Sequence, residues 1–118
     1  MLTVDEFFAG RDDSRQLFDA LLPLIAESGP AEMRVTKSQI AFRRTKGFAW
    51  VWIPGQYLRG QSAPLVLSLS FPQRDPSPRW KEIVEPARGR CMHHLELHSV
   101  NDLDQEVKDW LQSAWSAA

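Results

Sequence analysis

Apolar positions along this 118-residue chain change period twice, from about 3.6 to 2 and back. Leu17, Phe18, Leu21, Leu22 and Ile25 share one face of a helix that starts near residues 12–14 and stops at Ser28-Gly29-Pro30. Pro23 lies inside that run and, lacking an N–H, is expected to kink the helix. Ahead of it, Thr3-Val-Asp-Glu6 has the form of a capping box and opens a short segment that ends at Gly10. From Glu32 the period becomes two. Met33 and Val35 are apolar, then Ile40 and Phe42, and this odd-to-even slip requires a turn or bulge around Lys37. Arg44-Thr45-Lys46-Gly47 reads as a hairpin loop with Gly47 supplying positive φ. Residues 48–53, 65–71 and 91–99 read as further strands. A last helix, capped by Ser99 or Asn101, carries Leu103, Val107, Trp110, Leu111 and Ala114 on one stripe. Residues 72–90 hold four prolines and Trp80, and read as a long loop with a helical turn at 79–84.

The register of the hairpin around residue 45 decides which surface is open. A loop of two or four residues puts Ile40 and Phe42 on the face of Ala49, Val51 and Ile53. Phe48, Trp50 and Trp52 then join Ala41 and Arg43 on the other face. A three-residue loop would instead set Ile40 and Phe42 against Trp50 and Trp52. The first arrangement is preferred because it leaves one aliphatic face for two helices to cover. That face holds Ile40, Phe42, Val51, Ile53, Leu65, Leu67, Leu69, Leu95 and Leu97. Its reverse gathers Arg43, Trp50, Trp52, Ser68, Ser70, His94, Glu96 and His98. The expected architecture is α+β: an antiparallel sheet of four to five strands with N- and C-terminal helices packed on one face. The whole chain, residues 1–118, is one domain.

Charge sharpens this picture. Residues 34–90 carry eleven Lys/Arg and three Asp/Glu, a balance of +8, whereas residues 1–33 and 91–118 balance at −5 and −4, so a net charge of −1 hides a basic sheet between acidic helices. A cationic, aromatic sheet attracts anionic or planar ligands. The longest uncharged apolar stretch, residues 20–26, is far short of the ~20 residues that span a bilayer. Asp5 and Glu6 stand where a secretory leader would be basic. The single cysteine, Cys91, excludes an internal disulfide and a multi-cysteine metal knuckle. A cytoplasmic protein of bacterial style, with no membrane association, is the expectation.

His94-Leu-Glu96-Leu-His98 is the pattern nearest to catalytic chemistry, since i, i+2 and i+4 share a strand face. On a regular strand its two imidazoles stand ~13 Å apart, too far to share one metal. One His with Glu96 and a ligand from another strand stays open, beside the plainer reading of polar residues on a solvated face. His93 points with Leu95 and Leu97, as a buried or edge histidine making one hydrogen bond. Trp50 and Trp52, with Phe48, could stack planar ligands, with Arg34, Lys37, Arg43, Arg44 and Lys46 as phosphate contacts. Alternatively the two indoles pack with Trp80 and Tyr57 under the long loop, as a second small core, and the basic residues pair with acidic helices. No G-x-S-x-G elbow surrounds Ser68 or Ser70, and Lys37-Ser38 lacks a glycine-rich lead. Cys91 shares its side with His93, but nothing orients that pair.

The chain resembles an uncharacterised bacterial family, the domain of unknown function numbered 5655. The resemblance rests on residues 3–8, residues 35–43, Phe48-Ala-Trp-Val-Trp-Ile-Pro54, Ser77-Pro-Arg-Trp-Lys81 and His93-His-Leu-Glu-Leu-His-Ser99, with Asp102-Leu-Asp104 and Trp110-Leu111. It implies a small α+β domain, sometimes appended to other modules, and assigns no activity, cofactor or residue role. The expected function is therefore a non-catalytic binding module on the open sheet face. Its ligand would be anionic or aromatic, a single-stranded nucleic acid or a phosphorylated metabolite, with no cofactor and no metal. Arg43 would contact the anion, Trp50 and Trp52 would stack, and Ser68, His94, Glu96 and His98 would form the polar surround. Alternatives are a homodimer or protein-interaction surface on the same face, and a metal-assisted enzyme using Glu96 with His94 or His98.

Overall fold

The computed structural model describes residues 2–56 and 62–118. Three α-helices, α1 (Val4–Phe7), α2 (Asp12–Ser28) and α3 (Gln105–Ala117), accompany six strands. The strands are β1 (Glu32–Val35), β2 (Ile40–Arg43), β3 (Gly47–Trp52), β4 (Leu65–Phe71), β5 (Glu82–Ala87) and β6 (Arg90–Leu97). They form one sheet in the order β1-β2-β3-β4-β6-β5, and every neighbouring pair is antiparallel. The architecture is α+β, as expected, with one strand more than the sequence pattern showed. None of the described helices is long and apolar enough to cross a membrane.

Caps and side-chain period explain the helices. Thr3 and Glu6 close the capping box of α1 in both directions. Through Pro23 α2 continues unbroken, because Pro23 and Leu22 lie on its exposed side, where water can serve the carbonyl that loses its donor. Gly29 ends it at φ 146°, a conformation side chains avoid, and a Cβ there would overlap the Trp115 indole. Ser99 caps only a short 3-10 turn, Val100–Asp102, while the true cap of α3 is Asp104, whose carboxylate accepts from Val107 N–H at 3.2 Å.

All nine residues of the expected aliphatic face are buried. They pack against Leu17, Phe18, Leu21 and Ile25 of α2 and Val107, Trp110, Leu111 and Ala114 of α3. The helices cover one face, as antiparallel sheets allow; on the other, Trp50, Trp52, His94 and Glu96 are half-buried and Val66 and Ser68 are buried. The pairings Ile40↔Val51, Ala41↔Trp50 and Phe42↔Ala49 give the expected faces by an unexpected route. Arg43 pairs with Gly47 across three loop residues, and a bulge then restores the register. Phe48 is the extra residue, and it turns into the core, fully buried, instead of joining Trp50 and Trp52. Gly47 also corrects the expectation: among the described residues, positive φ belongs to Gly10, Gly29 and Gly89.

The segment read as a long loop holds β5 instead of a helical turn at 79–84. It is an edge strand with Pro86 inside a bulge between Val84 and Ala87, where the ladder asks for no N–H. Residues 72–81 remain a loop, and it folds over the helix side of the sheet. Trp80 is buried there between His93 and Trp110, with ring centroids 4.9 and 4.1 Å away. The alternative that placed Trp80 with Trp50 and Trp52 is therefore wrong in its location, and Tyr57 lies outside the described residues.

Candidate functional site

Cross-strand pairing lays a row of side chains over the open face: Arg34, Ala41, Trp50, Ser68, His94 and Glu82. Beside it runs a second row of Trp52, Val66 and Glu96. Trp52 Nε1 donates to Ser68 Oγ at 3.0 Å, and Ser68 Oγ lies 2.6 Å from His94 Nδ1. An indole N–H can only donate, so Ser68 Oγ accepts from Trp52 and uses its remaining hydrogen-bonding capacity on His94 Nδ1. The Trp52 and His94 rings also meet edge to face at 6.2 Å. Burial lowers the His94 pKa, against an opposing pull from Glu82. Ser68 is 2% exposed, so this serine–imidazole pair is a fixed support and not a reachable nucleophile.

Five of the seven expected site residues gather here: Trp50, Trp52, Ser68, His94 and Glu96. Glu96 pairs with Lys81 at 3.3 Å. Arg43 lies at the margin, exposed, with Nε donating to Thr45 O at 3.2 Å. His98 does not join them. The strand stops at Leu97, the His98 N–H is held by Asp102 at 2.8 Å, and its side chain borders a smaller cleft beside Asp13 and Gln16 of α2. No three His, Cys, Asp or Glu side chains among the described residues converge as a metal set.

Where the open face meets one end of the sheet there is a cleft of about 480 Å³. Lys46 from the β2–β3 loop and Arg88 and Arg90 from the β5–β6 hairpin border it, together with Trp50, Ser70 and Pro72. None of these three cations makes an ion pair among the described residues. The nearest acid on the hairpin, Glu85, accepts from Gly89 N–H at 3.3 Å. Trp50 is seated on Gly47: a Cβ on Gly47 would stand 2.6 Å from Trp50 Cζ2, so the glycine supplies room for an indole. The carboxyl end of α3 also borders the cleft, and an anion would be repelled by its carbonyls. Arg44 answers that field by donating to the carbonyls of Trp115 and Ser116 at 3.1 and 3.4 Å, its guanidinium 3.9 Å above the Trp115 ring. Arg44 is thus a helix cap and not the phosphate contact the sequence suggested.

Sequence reasoning missed Arg88 and Arg90. Their signal was Arg88-Gly89-Arg90 just ahead of the alternating stretch 91–97, a hairpin turn with glycine at φ 75°. It also undervalued His93, which is wholly buried and makes two hydrogen bonds where one was expected. His93 Nε2 accepts from Asp75 N–H at 2.9 Å, and Nδ1 lies 3.0 Å from Cys91 O. That pattern fixes a neutral ring with its proton on Nδ1. Asp75 in turn accepts from Trp80 Nε1 at 2.9 Å and Ser77 N–H at 3.1 Å, so the motif at 75–81 anchors the loop to β6.

Comparison with curated proteins and with solved structures finds no match to this chain. The family model described as Domain of unknown function (DUF5655) matches residues 4–118, and the chain belongs to that family.

Proposed function

We propose that this domain is a non-catalytic binding module for an anionic ligand, held where the open sheet face runs into the basic cleft. The observation that carries this reading is the convergence of Lys46, Arg88 and Arg90 beside Trp50, with no acidic side chain in the lining. Like charges brought together without counter-ions repel one another and raise the free energy of the empty protein, and an anion relieves that repulsion. The homodimer alternative rested on bare tryptophans. Both indoles are half-covered by neighbours in their own chain, and no observation favours it.

Calorimetric titration with pyrophosphate tests the proposal. Binding is expected to weaken steeply between about 50 mM and about 200 mM salt. The Arg88→Ala/Arg90→Ala double variant is expected to lose about tenfold or more, because two charge-assisted contacts go together. Equal binding by the double variant, or no binding by the natural chain at low salt, refutes it.

A further inference from the structure

Resting on that reading, we infer that the ligand is a phosphomonoester of an aromatic heterocycle, of the size of one nucleotide, and not a nucleic acid strand. Three features of the open face converge on this class. The first is that one indole lines the cleft. Trp50 lies against Gly47 and lines the cleft, whereas Trp52 is outside the cleft lining, its Nε1 held by Ser68 and its ring perpendicular to that of His94. A single-stranded nucleic acid needs successive stacking platforms along a cationic track, and here the second platform is committed elsewhere.

The second feature is the layout of charge. The cations gather at one end of the sheet, in Lys46, Arg88 and Arg90. Away from that end the positive excess disappears: Glu82 stands opposite His94 at the far side of the row from Arg34, and Glu96, opposite Val66, is paired with Lys81. A polyanionic backbone leaving the cleft across the sheet would run into those carboxylates. One terminal phosphate with its two negative charges meets only the basic end. The third feature is size. Pro72 and the small residues Ala114 and Ala117 of α3 line the cleft, and about 480 Å³ falls within the range of small-molecule sites. Ser70 lies on the cleft wall between indole and cations, and its hydroxyl makes no hydrogen bond among the described residues, so it can serve a sugar or phosphate oxygen.

Nucleoside monophosphates and flavin mononucleotide share this chemistry, and the experiment separates them. Calorimetry would compare AMP, GMP, CMP and flavin mononucleotide with ribose 5-phosphate (phosphate without ring), adenosine (ring without phosphate) and a ten-residue oligothymidylate. At least one of the four aromatic phosphates is expected to bind about tenfold or more tighter than both ribose 5-phosphate and adenosine. Gly47→Ala, which pushes the indole off its seat, and Trp50→Ala should each reduce that ligand to the level of ribose 5-phosphate. Circular dichroism would confirm that both variants stay folded. If ribose 5-phosphate binds as well as every aromatic phosphate, or if the oligothymidylate outcompetes them all, this inference fails while the anion-binding reading stands. If pyrophosphate and every phosphate fail to bind, the anion-binding reading itself falls.

Discussion

Acidification from about pH 7.5 to about pH 5.5 should destabilise this protein through its buried imidazoles. His93 is wholly enclosed by Phe71, Trp80 and its strand neighbours, and its Nε2 receives the backbone N–H of Asp75. A proton added to Nε2 would face that N–H directly, so the charged form loses a hydrogen bond as well as its hydration. Burial pushes the His93 pKa below its ordinary 6.5, with Arg74 acting in the same direction. The Cys91 and Leu69 carbonyls and the Asp75 carboxylate oppose the shift but do not reverse it. The unfolded chain takes up protons as pH falls through 6.5 while the native ring does not, so stability is full above that value and declines below it. Each ring that stays neutral in the native state over this interval costs up to about 1.4 kcal/mol. His94, also shifted downward, makes the limit for the pair about 2.7 kcal/mol. Its share is the smaller, since a protonated Nδ1 can donate to Ser68 without breaking the Trp52 bond. Asp104 does not interfere: burial raises its pKa, but Arg79 and the Val107 N–H carry it below its ordinary 3.8, outside the interval. Urea unfolding followed by tryptophan fluorescence at both pH values, with His93→Gln and His94→Gln beside the natural chain, measures the effect. Equal stability at the two pH values, or an undiminished loss in His93→Gln, would refute the reasoning.

Two further outcomes follow from close contacts. Gly29→Ala should cost about 2–5 kcal/mol in a urea melt, since it combines a strained φ of 146° with displacement of the Trp115 indole that caps the end of α2. A loss below about 0.5 kcal/mol would show that the helix junction tolerates the side chain. Ser68→Ala removes the acceptor used by Trp52 Nε1 and the hydrogen-bond partner of His94 Nδ1, and should cost about 1–3 kcal/mol. An unchanged denaturation midpoint would mean that water replaces the hydroxyl.

The helix stripes and the two sheet faces were legible because each rests on many residues of one period. Leu17, Phe18, Leu21 and Ile25 cannot be rearranged singly, nor can the leucines of β4 and β6. The bulge at Phe48 was not legible. It changes one pairing, and the chain reads equally well with Phe48 beside Trp50. Gly47 was noticed for the wrong property: glycine in a hairpin suggests positive φ, but the backbone there needs none and the missing side chain makes space instead. β5 was hidden because Pro86 and a run of exposed residues mask the period of a strand that packs on only one neighbour. Losing that strand also lost its hairpin, and with it Arg88 and Arg90. His98 was placed with His94 and Glu96 by extending the alternation one step past Leu97, where the capping carboxylate of Asp102 turns the chain away.

Topology accounts for the convergence of cations so far apart in sequence. With every neighbouring pair antiparallel, β3 starts, β4 ends, β5 ends and β6 starts at the same end of the sheet. The turn holding Lys46 and the turn holding Arg88 therefore stand on either side of the β4 terminus, with Ser70 and Pro72 between them. The C-terminal end of α3 reaches that same end, and its unpaired carbonyls alone would favour cations there. Arg44 occupies those carbonyls, and Lys46, Arg88 and Arg90 make no ion pair among the described residues. Of these four basic residues, Arg44 caps α3 and the other three line the cleft. Folding alone gives no reason to keep those three together. On the proposed reading, a ligand with a compact negative charge beside Trp50 would supply one.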